Sequence, residues 1–131
     1  MDNQQQLEQA IKNLGCELTY DEDGDINFTN SFGTYVLTYE DNFLSLSYPN
    51  FYAAEGFSEK VNLLNIFDEI NQTYKAVKFY FLDNNASASV EGFYEDDSNF
   101  DFVIEFSLKA LNVGLKQFSR RLKQVKLSEE N

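Results

Sequence analysis

Two spacings of hydrophobic residues divide the chain into predicted helices and strands. The first helix is predicted over residues 3–14, with Gly15 placed to end it. Its apolar face consists of Leu7, Ala10, Ile11 and Leu14. Apolar residues then alternate with Ser and Thr, which predicts antiparallel strands with one wet face. These strands are Glu17–Tyr20, Ile26–Thr29, Thr34–Glu40 and Phe43–Tyr48. Pro49 ends the alternation, and residues 51–57 are predicted to form an apolar loop.

The segment 58–82 predicts a helix that runs directly into a strand. Ser58 is a natural N-cap for the helix, since a serine hydroxyl accepts from the backbone N–H groups of a first turn. One helical face carries Leu63, Phe67, Ile70 and Tyr74, and it is widened by Val61, Leu64 and Ile66. This helix is therefore expected to be covered on most sides. Residues 77–82 are largely apolar on both faces, which favours a central strand.

The remaining chain predicts one strand and one long helix. The strand spans Ala86–Tyr94, and its small residues on one side predict that a helix packs across it. The helix spans residues 100–126; its first half is apolar nearly all round, which is typical of a core helix. Its second half keeps one heptad seam, formed by Leu115, Phe118, Leu122 and Val125. The seam is expected to pack on the first helix or on a second copy of the chain, and Gly114 permits close approach.

The order of these elements predicts an α+β fold. An antiparallel sheet has helices packed against it, in the order helix, three or four strands, helix, two strands, helix. Residues 1–131 are predicted to form a single domain, since this length suits one core. Within it, residues 5–126 form the ordered part and residues 127–131 a frayed tail.

The distribution of charge narrows the classes of partner. The formal net charge is −12, which disfavours nucleic acid and anionic membranes. Six of the ten basic residues lie in the last helix: Lys109, Lys116, Arg120, Arg121, Lys123 and Lys126. These cations indicate either a solvated helix face or a rod that docks onto an acidic surface. The polar N-terminus has no signal-peptide pattern, which predicts a cytoplasmic protein.

No catalytic, metal or cofactor site is predicted. The chain has no histidine, which removes the usual general base near neutral pH. Asp21, Asp23 and Asp25 invite a calcium interpretation, but the glycine and the twelfth-position acid of an EF-hand loop are misplaced. The single cysteine, Cys16, allows no internal disulfide and lacks the basic surroundings of a reactive thiol. An enzyme that uses carboxylates remains an alternative without a favoured pair.

The sequence resembles the YbjN-type domains, which share the fold of class I type III secretion chaperones. The resemblance covers roughly residues 5–122 and is carried by the segments 24–28, 44–46 with Pro49, 69–78 and 88–91. It implies a small acidic protein that binds other proteins, often dimerises, and in the secretion chaperones holds a partner's extended segment on hydrophobic patches.

An aromatic surface is the predicted partner site. Its residues are Tyr35, Tyr39, Tyr48, Phe51 and Tyr52. Either their rings cover the sheet of a monomer, or they form a groove for a peptide or a second copy of the chain. The leading hypothesis is a non-enzymatic protein-binding module without a cofactor. An acidic immunity-type inhibitor of a basic protein is the second hypothesis, because charge complementarity would favour such a complex.

Overall fold

One antiparallel sheet and a layer of helices form the described part of the chain, residues 2–130 of this computed structural model. The order of elements confirms the predicted α+β class, with the optional fourth strand present. The helices are α1 (Asn3–Asn13), α2 (Gly56–Thr73) and α3 (Phe100–Glu130). The strands are β1 (Glu17–Tyr20), β2 (Ile26–Asn30), β3 (Gly33–Glu40), β4 (Phe43–Ala53), β5 (Lys78–Leu82) and β6 (Asn85–Phe93). Their order across the sheet is β1-β2-β3-β4-β6-β5.

The core lies between one face of the sheet and the helices. Strand pairing places Leu37 opposite Leu46, and Leu46 opposite Val90, so that buried residues line up across the sheet. The opposite face carries polar residues such as Thr29 and Thr34, which are exposed and share a hydrogen bond. The prediction of one wet face is therefore confirmed at these strands.

The helix α3 crosses the sheet over β4 and β6. The side chains of Ala86 and Ala88 on β6 are fully buried, which confirms that a helix packs across the small residues of this strand. The helix approaches the sheet closely at Gly114, where a Cβ atom would lie 2.8 Å from Phe79 Cε1. A larger side chain at this position would push α3 away from β5.

The strand β5 lies at the edge of the sheet, so the prediction of a central strand was wrong. The side chain of Asn71 on α2 covers part of its outer edge. Its amide nitrogen donates to the Phe79 carbonyl (3.1 Å), and its oxygen accepts from the Phe79 N–H (2.8 Å). A side-chain amide thus substitutes for a neighbouring strand at this residue, because it offers one donor and one acceptor.

The chain between β4 and α2 also departs from the prediction. The strand β4 continues to Ala53 instead of ending in an apolar loop, because Asn85 and Ala86 of β6 pair with its last residues. The helix α2 then begins at Gly56, with Glu55 as its N-cap residue. The Glu55 N–H donates to the Glu59 carboxylate (2.8 Å), and Ser58 lies within the first turn.

The helices bury only their inner sides. Val61 and Leu64 on α2 are exposed, as are Phe102 and Phe106 on α3, so neither helix is covered all round as predicted. The reason is that the helices form a single layer, whose outer side faces water. The first half of α3 packs on α1, and its second half packs on α2. The helix α3 continues through Glu130, beyond its predicted end, and Asn131 of the predicted tail lies outside the described residues.

Candidate functional site

An apolar groove lies between the end of β4 and the C-terminal half of α3, and we call it the β4–α3 groove. Its volume is about 740 Å³. Aromatic residues of β4 form one wall, namely Tyr48, Phe51 and Tyr52. Residues of α3 form the other wall, namely Leu115, Phe118 and Leu122. Phe32 and Leu127 also line the groove, and both are largely exposed.

An irregularity in β4 brings the three aromatic residues to the same side of the sheet. The pairing of β4 with β6 shifts between Tyr48 and Tyr52, with Pro49 and Asn50 in the bulged segment. Asn50 has a positive φ of 54°, and its N–H donates to the Ser87 hydroxyl (2.9 Å). A bulge interrupts the alternation of side chains along a strand. Phe51 therefore faces the helices together with Tyr48 and Tyr52.

Ring contacts and hydrogen bonds hold these walls in place. The Phe51 ring packs edge-on against Phe118, with 5.1 Å between the ring centroids. The Tyr48 hydroxyl donates to the Phe32 carbonyl (2.9 Å), and the Tyr52 hydroxyl donates to the Glu59 carboxylate (3.2 Å). Two wall tyrosines are thus anchored by their hydroxyl groups, which leaves their rings to line the groove.

Three cations lie along the α3 side of the groove. Lys116, Arg120 and Lys123 all line it and are exposed. They form no ion pair with any side chain among residues 2–129. By contrast, Arg121 on the α2 side of the same helix pairs with Glu69 at 2.5 Å. The groove is therefore apolar at its walls and positively charged at one rim.

Lys126 lies on the other side of Tyr52, outside the groove lining. Its ammonium nitrogen lies 5.5 Å from the centroid of the Tyr52 ring. A hydrogen bond to Tyr52 raises the pKa of Lys126 above its usual value, with smaller contributions from the charges of Glu59 and Glu55. This cation is therefore engaged within the protein and differs from the three at the groove rim.

The structure brings together part of the predicted partner surface and part of the predicted helix seam. Tyr48, Phe51 and Tyr52 face Leu115, Phe118 and Leu122 across the groove. These residues belong to two separate predictions, one for an aromatic surface and one for a helical seam. Val125 does not line the groove; it lies on the α2 side of α3.

Two residues of the predicted partner surface are placed elsewhere. Tyr35 has 0% of its surface exposed, because it stacks on Phe28 beneath the helix layer, so its ring does not contribute to the surface in this conformation. Tyr39 lies away from the groove, where its hydroxyl contacts the Tyr94 carbonyl (2.8 Å) and Asp96 (3.1 Å).

The predicted seam of α3 packs inside the protein. Phe118 is only 4% exposed, and its ring contacts Phe67 of α2 and Phe79 of β5. Most of the Phe118 side chain is therefore in contact with other parts of the same chain, and only its remaining surface lines the groove. Within the protein, the heptad residue Phe118 packs on the sheet and on α2. The first helix was instead the intramolecular partner predicted from the sequence.

Phe32, Leu127 and the position of the three cations beside an apolar groove were not predicted from the sequence. Phe32 lies in the turn between β2 and β3, and hydrophobic periodicity does not predict that a turn residue lines a groove. The cations did carry a signal. Lys116, Arg120 and Lys123 are spaced i, i+4 and i+7, which places them on one stripe of a helix, and two of them directly follow the groove leucines.

The acidic turn between β1 and β2 gathers three carboxylates. Oxygen atoms of Asp21, Asp23 and Asp25 lie within 4.8 Å of one another. Asp21 already accepts from the N–H groups of Asp23 (3.0 Å) and Asp25 (2.9 Å), and the bond from Asp25 lowers the pKa of Asp21. Partial burial and the neighbouring charges raise the pKa of Asp25. This arrangement is typical of an acidic hairpin turn stabilised by its own backbone.

None of the helices described between residues 2 and 130 is long and apolar enough to span a lipid bilayer.

Comparisons with known proteins show similarity in fold. No family model matches the sequence, and no curated protein matches it either. Among solved structures, the chain is similar to "YbjN, a putative transcription regulator from E. coli", with 15% sequence identity and a TM-score of 0.64. The alignment covers 92% of this chain and 93% of that one. The two proteins therefore share the fold over nearly their whole described length, which agrees with the resemblance found in the sequence.

Proposed function

We propose that this protein is a non-enzymatic module that binds other proteins, and that the β4–α3 groove holds a segment of the partner. The observation that carries the proposal is the groove itself, which has aromatic and aliphatic walls open to water. Large exposed apolar surfaces are uncommon on proteins that act alone, and they often mark interaction sites. The rings of Tyr48 and Tyr52 suit such a site, since anchored aromatics contribute contact area at low entropic cost.

The dimensions of the groove suit a polypeptide segment. It follows α3 from Asn112 to Leu127, a length of about 22 Å at a helical rise of about 1.5 Å per residue. An extended chain of about seven residues covers this distance. Because the groove is open along one side, an occupant would bury one face and leave the other in water.

The proposal includes a chaperone-like role in the cytoplasm, in which the groove shields an apolar segment of its partner. Similarity to the YbjN fold supports a module of this general shape. A second copy of the chain is the alternative occupant. Light scattering of the purified protein distinguishes the two, since a self-associating protein changes mass with concentration and a monomer awaiting a partner does not.

The test is a pull-down from cytosol with matched aspartate variants. Leu127→Asp places a charge at the groove, and Phe93→Asp places one on the opposite face of the sheet; both positions are largely exposed (60% and 78%), so neither change should unfold the protein. We expect the Phe93 variant to retain a partner that the Leu127 variant loses. A partner retained equally by both variants would refute a role for the groove. A partner that both variants retain only at low salt would favour the inhibitor hypothesis.

A further inference from the structure

We infer that the segment bound in the β4–α3 groove is acidic as well as apolar. This inference rests on the proposed function and names the chemical class of the partner. It depends on the positive charges at the groove rim, whereas the proposed function depends on the apolar walls.

The rim cations lie in a chain that is rich in acids. The sequence contains 22 acidic and 10 basic residues, so a cation has many potential partners within the protein. Other cations on α3 use them: Arg121 pairs with Glu69 (2.5 Å), and Lys109 pairs with Glu105 (3.6 Å). Lys116, Arg120 and Lys123 form no such pair with the described side chains. Their charges are therefore available to an occupant of the groove.

The rim cations lie directly beside the apolar wall of the groove. Lys116 follows Leu115, and Lys123 follows Leu122, so the stripe of cations runs beside the stripe of wall leucines along α3. The three cations span about 10 Å along the helix axis. A segment that places apolar side chains against the leucines brings flanking carboxylates within reach of these long, flexible side chains.

The net charge of −12 does not prevent an acidic segment from binding in the groove, although it would repel such a segment at long range. At physiological ionic strength the Debye length is about 8 Å, so charges on distant parts of the surface are largely screened. An occupant of the groove therefore experiences chiefly the charges close to it. These include the three rim cations and, beside the wall residue Tyr52, the carboxylate of Glu59 and the ammonium group of Lys126, so positive charges predominate. A basic segment, by contrast, would be attracted to the acidic turns elsewhere, such as Asp21–Asp25, and repelled at the groove.

The test uses three labelled peptides with the same Leu-Phe-Leu-Phe core, flanked by Glu, Ser or Lys residues. Fluorescence anisotropy measures the dissociation constant of each peptide with the full-length protein. At low salt we expect the Glu-flanked peptide to bind about tenfold more tightly than the Ser-flanked one, since several exposed ion pairs each contribute a small amount. The Lys-flanked peptide should bind most weakly, and high salt should remove the preference for Glu.

Two charge reversals on α3 provide the matched comparison. Lys123→Glu and Lys109→Glu change the net charge equally, and both residues are exposed, but only Lys123 lines the groove. We expect Lys123→Glu to reduce the preference for the Glu-flanked peptide severalfold and Lys109→Glu to leave it unchanged. Equal reduction by both variants would overturn the inference, because the effect would then reflect net charge alone.

The remaining outcomes separate this inference from the proposed function. Equal binding of the Glu-flanked and Ser-flanked peptides, lost in Leu127→Asp, would overturn the acidic preference and leave the groove as a protein-binding site. Binding of no peptide would overturn both. Binding of oleate in the groove without binding of any peptide would overturn both in favour of a small anionic ligand.

Discussion

Replacing Tyr35 with alanine should destabilise the protein strongly, although the sequence had made this residue a candidate for a binding surface. Tyr35 is fully buried; its ring stacks on Phe28 (5.2 Å between centroids) and contacts Tyr48 (5.1 Å). Truncation of a buried aromatic residue to alanine typically costs about 3–5 kcal/mol. Because small domains are stable by only about 5–15 kcal/mol, this loss is a large part of the total free energy of unfolding.

Two control variants separate the contributions of the ring and its hydroxyl. Tyr35→Phe keeps the ring and removes a long hydrogen bond to Asn112 (3.4 Å), so we expect a loss of about 1 kcal/mol or less. Phe57→Ala removes an aromatic ring that is 82% exposed, and such surface changes usually fall within about 0.5 kcal/mol.

Urea denaturation followed by far-UV circular dichroism gives the free energy of unfolding of each variant by linear extrapolation. We expect the wild type, Phe57→Ala and Tyr35→Phe to have similar free energies of unfolding. The free energy of unfolding of Tyr35→Ala should be far lower. A Tyr35→Ala variant as stable as Phe57→Ala would refute the burial argument. It would also return Tyr35 to the list of candidate partner residues.

Two further predictions concern the edge of the sheet and the response to alkaline pH. Asn71→Ala should lower the free energy of unfolding by about 1–2 kcal/mol and speed hydrogen exchange of the Phe79 amide, because both hydrogen bonds between Asn71 and Phe79 are lost. The neighbouring Gln72→Ala, which removes a hydrogen bond to Asp68, should do neither. Unchanged exchange in Asn71→Ala would contradict the proposed cover of the edge. Burial, with the hydrogen bond to Asp96, raises the pKa of Tyr39, so this residue contributes stability below its unfolded pKa of about 10 that is lost as the pH rises through its folded pKa. Urea midpoints across that pH range should fall less steeply for Tyr39→Phe than for wild type, and equal slopes would argue against the shift.

Local patterns determined the elements of this protein and most of their boundaries. The helix α1 ends before Gly15, which has a positive φ of 80°, as its sequence predicted. The β1–β2 and β3–β4 hairpins also turn where their Asp, Asn and Gly residues indicated. These features depend on residues close together in the chain, so their spacing is sufficient to predict them.

Pairing between distant segments decided where each element lies. The apolar pattern of residues 77–82 is the same for a central strand and for an edge strand that is covered by a helix. Only the contact between Asn71 and Phe79 shows that α2 covers part of this edge. The end of β4 is a similar case, since its last residues become a strand because β6 lies beside them.

Residue order was enough to predict an aromatic segment around Tyr48–Tyr52 and a basic, leucine-bearing helix. Tertiary structure decided that the two face each other across one groove, while Tyr35 lies buried behind it. A bulge at Pro49 and Asn50 turned Phe51 towards the helices, and the close approach at Gly114 set α3 against the sheet. Periodicity shows which residues share a face, but only the packing of distant elements determines which faces meet and which remain open to a partner.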